Sequence, residues 1–185
     1  MGGFGALTAR HRAAGVPNSL VPLLIALASA AAGTLGLVLV LGIIEAEPRY
    51  VVPVGGMVIG NSMTAAAVAL NRLGADVRGD AHRIEATLAL GATSSQAVAP
   101  LVRRSLRSGM ITLVDSTKTT GLIFFPGTMV GMLLAGADPV DAVRLQLILL
   151  YTLLGSVAIA ALIATTLARR NFFTPAHQLR EPPEP

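Results

Sequence analysis

From Val16 to Ile44 the chain carries no charged side chain, and this uncharged run constrains the fold more than any other feature. A helix needs about 20 apolar residues to cross the hydrocarbon core of a bilayer, where the backbone must satisfy its own hydrogen bonds. The run is long enough, and Ala28, Ala32, Gly33 and Gly36 give it a small-residue surface for close helix contact. The basic segment before it, MGGFGALTARHRAAG, resembles the start of a signal peptide. The apolar run behind it is longer than a signal's hydrophobic region, and no small-residue cleavage site stands at a suitable distance, so it reads as a permanent span.

Three more apolar stretches follow: Tyr50–Leu70, Met110–Gly136 and Leu145–Ala168. The expected organisation is one membrane domain over 1–185, with spans at about 19–44, 50–70, 110–136 and 145–168, a loop over 71–108 and a tail over 169–185. Composition agrees. Hydrophobic residues make up 53% of the chain and charged residues 13%, against about 25% charged in a soluble domain, too little polar surface to cover a globule. The fold class expected is all-α, a polytopic membrane helix bundle of four transmembrane helices.

The net charge is +4, and its placement gives an orientation. Arg10 and Arg12, the six arginines between Asn71 and Ser108, and the group Arg169, Arg170 and Arg180 all fall on one side if there are four spans. The other two connections hold only Arg49 and Arg144. By the positive-inside rule both termini and the long loop are cytoplasmic, in a cell's plasma or inner membrane. Nucleic acid is not an expected partner: the arginines flank apolar runs, aromatic residues make up 4%, and Trp is absent. There are no cysteines, which excludes disulfides and thiolate metal sites.

The loop is the polar exception. Asp80 reads as an N-cap for AHRIEATLAL and Gly91 as its stop; Thr93 and Gln96 have capping-box spacing for a second helix from Ser94. Pro100 is expected to kink that helix, and Arg103, Arg104 and Arg107 can snorkel to the headgroups. In helix register Ile84, Leu88 and Gly91 form an apolar stripe beside Glu85. Such a helix can lie on lipid, pack on its own bundle, or dock into a groove of a cytosolic partner.

Several segments together resemble one family. They are GMVIGNSM (56–63), ALNRL (69–73), EATLALGAT (85–93), VDSTKTTGL (114–122), FPGTMVGMLLAGADPVDAVRLQ (125–146) and the HQL near the end. In that order they resemble the FetB-like permeases, also called the UPF0014 family, over nearly the whole chain from the second span onward. Glu85-Ala86-Thr87 followed by Gly91 resembles the EAA-type loop of ABC-transporter permeases. The resemblance implies a coupling helix over 81–91, with Glu85, Ala86, Leu88, Gly91 and Ala92 as contacts to a cytosolic ABC ATPase. It also implies a second permease copy as a homodimer partner, and export of iron or another metal; plant relatives are associated with aluminium tolerance. Members of the family are usually longer at the start, so this chain begins inside the family pattern.

Inside the third run Asp115 and Lys118 are three apart and can meet on one helix face. Ionisable groups in lipid usually face a bundle interior or water. The pair is either a gate or polar lining of a translocation path, or a mutually neutralising pair that fixes packing or snorkels outward. Asn61, Ser62, Thr64, Thr119 and Thr120 are oxygen-bearing candidates for the same path; hard cations favour such ligands, and interhelical hydrogen bonding is the alternative role. Met57, Met63, Met129 and Met132 read as packing residues rather than soft-metal ligands. His11, His82 and His177 are scattered, with no metal-ligand spacing. No nucleophile triad, paired carboxylates or phosphate-binding glycine loop is present, so the chain is expected to need no cofactor and to leave ATP hydrolysis to a partner. Two rival readings stand beside this: a passive channel or N-terminally truncated remnant without ATPase coupling, and a transporter with another cargo such as a nucleotide-sugar.

Overall fold

The uncharged run winds into α1 (Leu20–Val40). Its inward positions Leu23, Ala26, Leu27, Ala30, Thr34 and Val38 recur every three or four residues, while Val21, Leu24, Ile25 and Leu37 face outward. The structure, a computed structural model, describes residues 16, 19–43, 46–119, 126–174 and 178–180. Among these, helices and one isolated β-bridge are the regular structure.

α2 (Pro48–Gly79) runs nine residues past the expected end of the second span at Leu70. Nothing in Asn71–Gly79 stops a helix. Leu73 and Val77 continue the buried face of Ala66 and Leu70, and Arg72 pairs with Asp76 one turn on at 3.1 Å. A short helix, α3 (Ala81–Ala89), leads to α4 (Ser94–Thr119), which contains Pro100 without being terminated by it. Residues 120–125, Thr120 among them, lie outside the described residues. α5 (Gly127–Leu134) then follows Pro126. The stretch expected as a single span over 110–136 is divided at Pro126, whose extended backbone (φ −60°, ψ 142°) precedes the start of α5. α6 (Pro139–Ala168) begins earlier than the apolar run, because Asp138 caps it: its side chain accepts from the amides of Val140 (2.8 Å) and Asp141 (3.4 Å), with Pro139 in the first turn.

Among the described residues three helical stretches are long and apolar enough to cross a membrane: Leu20–Val40, Tyr50–Gly79 and Pro139–Phe172. α6 is the hub, packed on α1, α2 and α4; α2 also packs along α4. The larger core joins the start of α1 (Leu23, Ala26, Leu27), the end of α2 (Leu70, Leu73, Val77), Ile84 of α3, the start of α4 (Val98, Leu101, Val102) and the end of α6 (Ala164, Ala168). These segments share one end of the bundle, so the arginines they carry do too. The smaller core, Val38, Val54, Val58 and Leu149, lies toward the other end.

The Pro-rich composition of the tail predicts a loose segment, but its first residues pack. After α6 a 3-10 turn (Arg169–Phe172) places Phe172 and Phe173, 3% and 7% exposed, in the larger core. The chain then folds back. Phe173 and Leu179 form an antiparallel bridge; the Arg180 amide donates to the Phe172 carbonyl and the Thr174 amide to that of Gln178, both at 2.8 Å. Two adjacent phenylalanines bury enough apolar surface to hold this segment despite the prolines beyond it.

Candidate coupling helix and polar cleft

α3 is fixed at both ends by its local sequence. Asp80 occupies the N-cap position, but its side chain makes no capping bond, which corrects the expected side-chain cap. The same residue is the C-cap of α2. Its backbone (φ −103°, ψ 18°) is set by ending one helix as another begins, away from the extended geometry that capping side chains use. At the other end Gly91 has φ +89°. Its amide donates to the Leu88 carbonyl (2.9 Å) and the Ala92 amide to that of Thr87 (3.3 Å), the paired bonds of a Schellman stop. The capping box forms as expected: the Gln96 amide donates to Thr93 Oγ1 (3.3 Å) and the Thr93 amide to Gln96 Oε1 (2.9 Å). A stop and a start two residues apart leave α3 little freedom relative to α4.

Its faces are cleanly divided. Ile84 is 2% exposed, and Leu88 packs partly buried against the same core. The apolar stripe thus packs on the chain's own bundle. The outward surface is Glu85, Ala86, Ala89 and Leu90, with Gly91 exposed beyond it and Ala92 half-buried. Leu90 is 89% exposed and escaped the sequence reading; its signal was an apolar residue falling outside the Ile84–Leu88 stripe. Beside it a cleft of about 190 Å³ lies between α3 and α4, with Arg83, Thr87, Gln96 and Arg104 in its wall.

A second cleft, about 90 Å³, lies between α2 and α4 at the height between the two cores. Asn61 and Thr64 line it from α2, Thr112 and Ser116 from α4. Sequence reasoning did not single out Thr112 or Ser116, although Ser116 lies in the VDSTKTTGL segment. Asn61 Nδ2 donates to the Met57 carbonyl (2.8 Å), Thr64 Oγ1 to that of Gly60 (3.1 Å) and Ser116 Oγ to that of Thr112 (2.8 Å). Each of these bonds ties the group to its own helix. Ser62 is not in the cleft wall; it is 1% exposed, and its Oγ is buried without a hydrogen-bond partner. At Gly109 the two helices approach closely. A Cβ there would stand 2.7 Å from the Ala65 carbonyl oxygen and 2.9 Å from the Ala69 Cβ. Ser105, fully buried, sits one turn before it, so α4 presents a small-xxx-small edge to the alanines of α2.

Asp115 and Lys118 do meet, at 3.4 Å, with side chains 61% and 71% exposed on the outside of α4. They are brought together with each other but not into the cleft. Thr119 is the last described residue of α4, and its side chain lies outside the described residues. Among the methionines Met63 packs against the larger core. No cluster of three or more His, Asp or Glu that could hold a metal occurs among the described residues. An unpaired charge on an apolar face costs about 2.5–3.5 kcal/mol by insertion scales. Asp115→Ala alone is therefore expected to lower the amount of inserted protein more than Asp115→Ala with Lys118→Ala; membrane-fraction immunoblots of both variants decide this, and equal losses would refute it.

Comparison with known proteins adds the following. The sequence pattern described as "Uncharacterised protein family (UPF0014)" matches residues 1–173. The chain is 38% identical over 94% of its length to "Probable iron export permease protein FetB" of Escherichia coli, covering 67% of that protein. It is 37% identical, again over 94%, to "UPF0014 membrane protein STAR2" of Oryza sativa subsp. japonica, covering 61% of it. It is 35% identical to "Protein ALUMINUM SENSITIVE 3" of Arabidopsis thaliana, covering 63% of it. The chain thus spans roughly two thirds of the length of these relatives. No solved structure matches it.

Proposed function

Because the chain belongs to the UPF0014 family of membrane proteins, we propose that it is the permease subunit of an ABC transporter, working with a second permease copy and cytosolic ATPase subunits. Its cargo on this reading is iron or another metal, moved outward. Cargo and direction are carried over from the name of the Escherichia coli relative, since no described residue cluster specifies a metal.

α3 carries the reading. It stands at the end of the bundle where the arginines gather, buries Ile84 in the larger core, and turns Glu85, Ala86, Ala89 and Leu90 outward. A short rod rooted by one buried side chain and capped by Gly91 transmits a push into α2 and α4 without first deforming. ATP-driven closure of the partner subunits would press on this surface, on the cytoplasmic side if the arginines mark it, and shift α4 against α2. In that scheme α4 beyond its arginines and α5 belong to a fourth crossing. Asn61, Thr64, Thr112 and Ser116 offer oxygens along the moving α2–α4 seam, of the kind a partly dehydrated hard cation accepts. Ser62, Asp115, Lys118 and Thr119 lie along the same two helices.

The chain has no cysteine of its own, so Ala86→Cys and Ala89→Cys each create a unique attachment point. Crosslinking from either position, in membranes that contain the ATPase, is expected to trap it. Adding Glu85→Lys should cut the yield about tenfold, the effect of reversing one charge at a contact, while insertion stays normal. Absence of any ATPase adduct where the ATPase is abundant would overturn the reading.

A further inference from the structure

At the end of α6 a cleft of about 270 Å³ opens between that helix and the first turn of α4. Ser94, Ser95, Arg169 and Arg170 line it, over an apolar floor that includes Val98 and Phe173. The floor residues are 1% and 7% exposed, so the bottom of the cleft is firm core. Arg169 is half-buried and Arg170 exposed, and none of the ion pairs among the described residues involves either. The cleft lies where the apolar stretch Pro139–Phe172 ends, which is headgroup height for a helix that crosses a bilayer. Two guanidiniums, hydroxyls beside them and an apolar floor form a receptor for a phosphate attached to something greasy: arginine forks pair with phosphate oxygens, hydroxyls donate further bonds, and basic pockets between helix ends take anionic headgroups.

We propose that this cleft binds the phosphate of an anionic phospholipid, with Arg169 and Arg170 as its charge partners. The proposal is independent of the ATPase and of any cargo; it needs only α6 to cross the membrane. Occupancy would tie the end of α6 to the start of α4, and so brace the α3–α4 junction.

The test titrates the full chain, purified in a neutral detergent, with phosphatidylglycerol, phosphatidylcholine or glycerol 1-phosphate, counting bound molecules by native mass spectrometry. Phosphatidylglycerol is expected to bind more tightly than phosphatidylcholine. Arg169→Ala with Arg170→Ala should weaken it roughly thirty-fold, about fivefold for each arginine. Arg144→Ala, an exposed arginine at the opposite end of α6 from the cleft, should leave it unchanged. Ser95→Asp guards against a folding artefact: an acidic residue in the first turn favours α4, yet its carboxylate repels phosphate, so binding should fall while the protein stays folded. Equal binding of the two lipids overturns the proposal. So does phosphatidylglycerol binding that survives both the arginine pair and Ser95→Asp. Glycerol 1-phosphate binding as tightly as the lipid would make this a site for a soluble phosphate and overturn the lipid assignment.

Discussion

Gly109→Ala is expected to destabilise the protein, whereas Gly33→Ala leaves it as stable or more so. In an ordinary helix interior, glycine to alanine gains up to about 1 kcal/mol, because glycine surrenders more backbone freedom. At Gly33 nothing lies within 4 Å of the added methyl, so that gain survives. At Gly109 the methyl would arrive 2.7 Å from the carbonyl oxygen of Ala65, a backbone atom that cannot swing aside. α4 must then retreat from α2 along the Ala65, Ala69 and Ser105 contact, for a net loss of about 1–3 kcal/mol as in other overpacked interiors. Gly109→Leu should cost more and open the polar cleft. Thermal unfolding in detergent, with Gly33→Ala measured alongside, reads the sign directly; a Gly109→Ala protein as stable as the wild type would mean the two helices are not so close.

The second large effect concerns coupling rather than stability. Gly91 sits at φ +89°, where a residue with a Cβ pays about 1–2 kcal/mol. Gly91→Arg places that strain at the stop of a nine-residue helix, beside the surface proposed to meet the ATPase. α3 relieves it by fraying or tilting, since the bundle core beneath is much stiffer. The expected outcome is a variant that inserts and accumulates normally but no longer supports transport-coupled ATPase activity when reconstituted. Gly91→Asn, which tolerates left-handed backbone, should retain most of it. Normal coupling in Gly91→Arg would show that this helix end does not transmit the stroke.

Local chemistry was legible in the sequence wherever short-range signals decide the outcome. The Thr93–Gln96 box and the Gly91 stop form where their spacing placed them. Long-range packing overrode the rest. α2 continues through Asn71–Gly79 because Leu73 and Val77 find the core, which no local signal announced. The tail reads as loose from its prolines but is held by Phe172 and Phe173. The Ile84–Leu88 stripe is visible in sequence; that it faces the bundle, leaving Glu85 and Leu90 outside, depends on where α4 lies. Of the polar candidates Asn61 and Thr64 reach the cleft wall. Thr112 and Ser116 join them only because Gly109 lets two helices nearly touch, a property of the pair that neither segment shows alone.

The hub position of α6 also sets a timetable for biogenesis. α1 packs chiefly on α6, yet the ribosome makes everything from Leu41 to Asp138 between them. At about 5–20 residues per second this takes on the order of ten seconds. Throughout that interval Leu23, Ala26 and Leu27 have no Ala164 or Ala168 to meet. α1 therefore waits in the lipid as a half-finished joint, and α6 is the keystone that locks the arch.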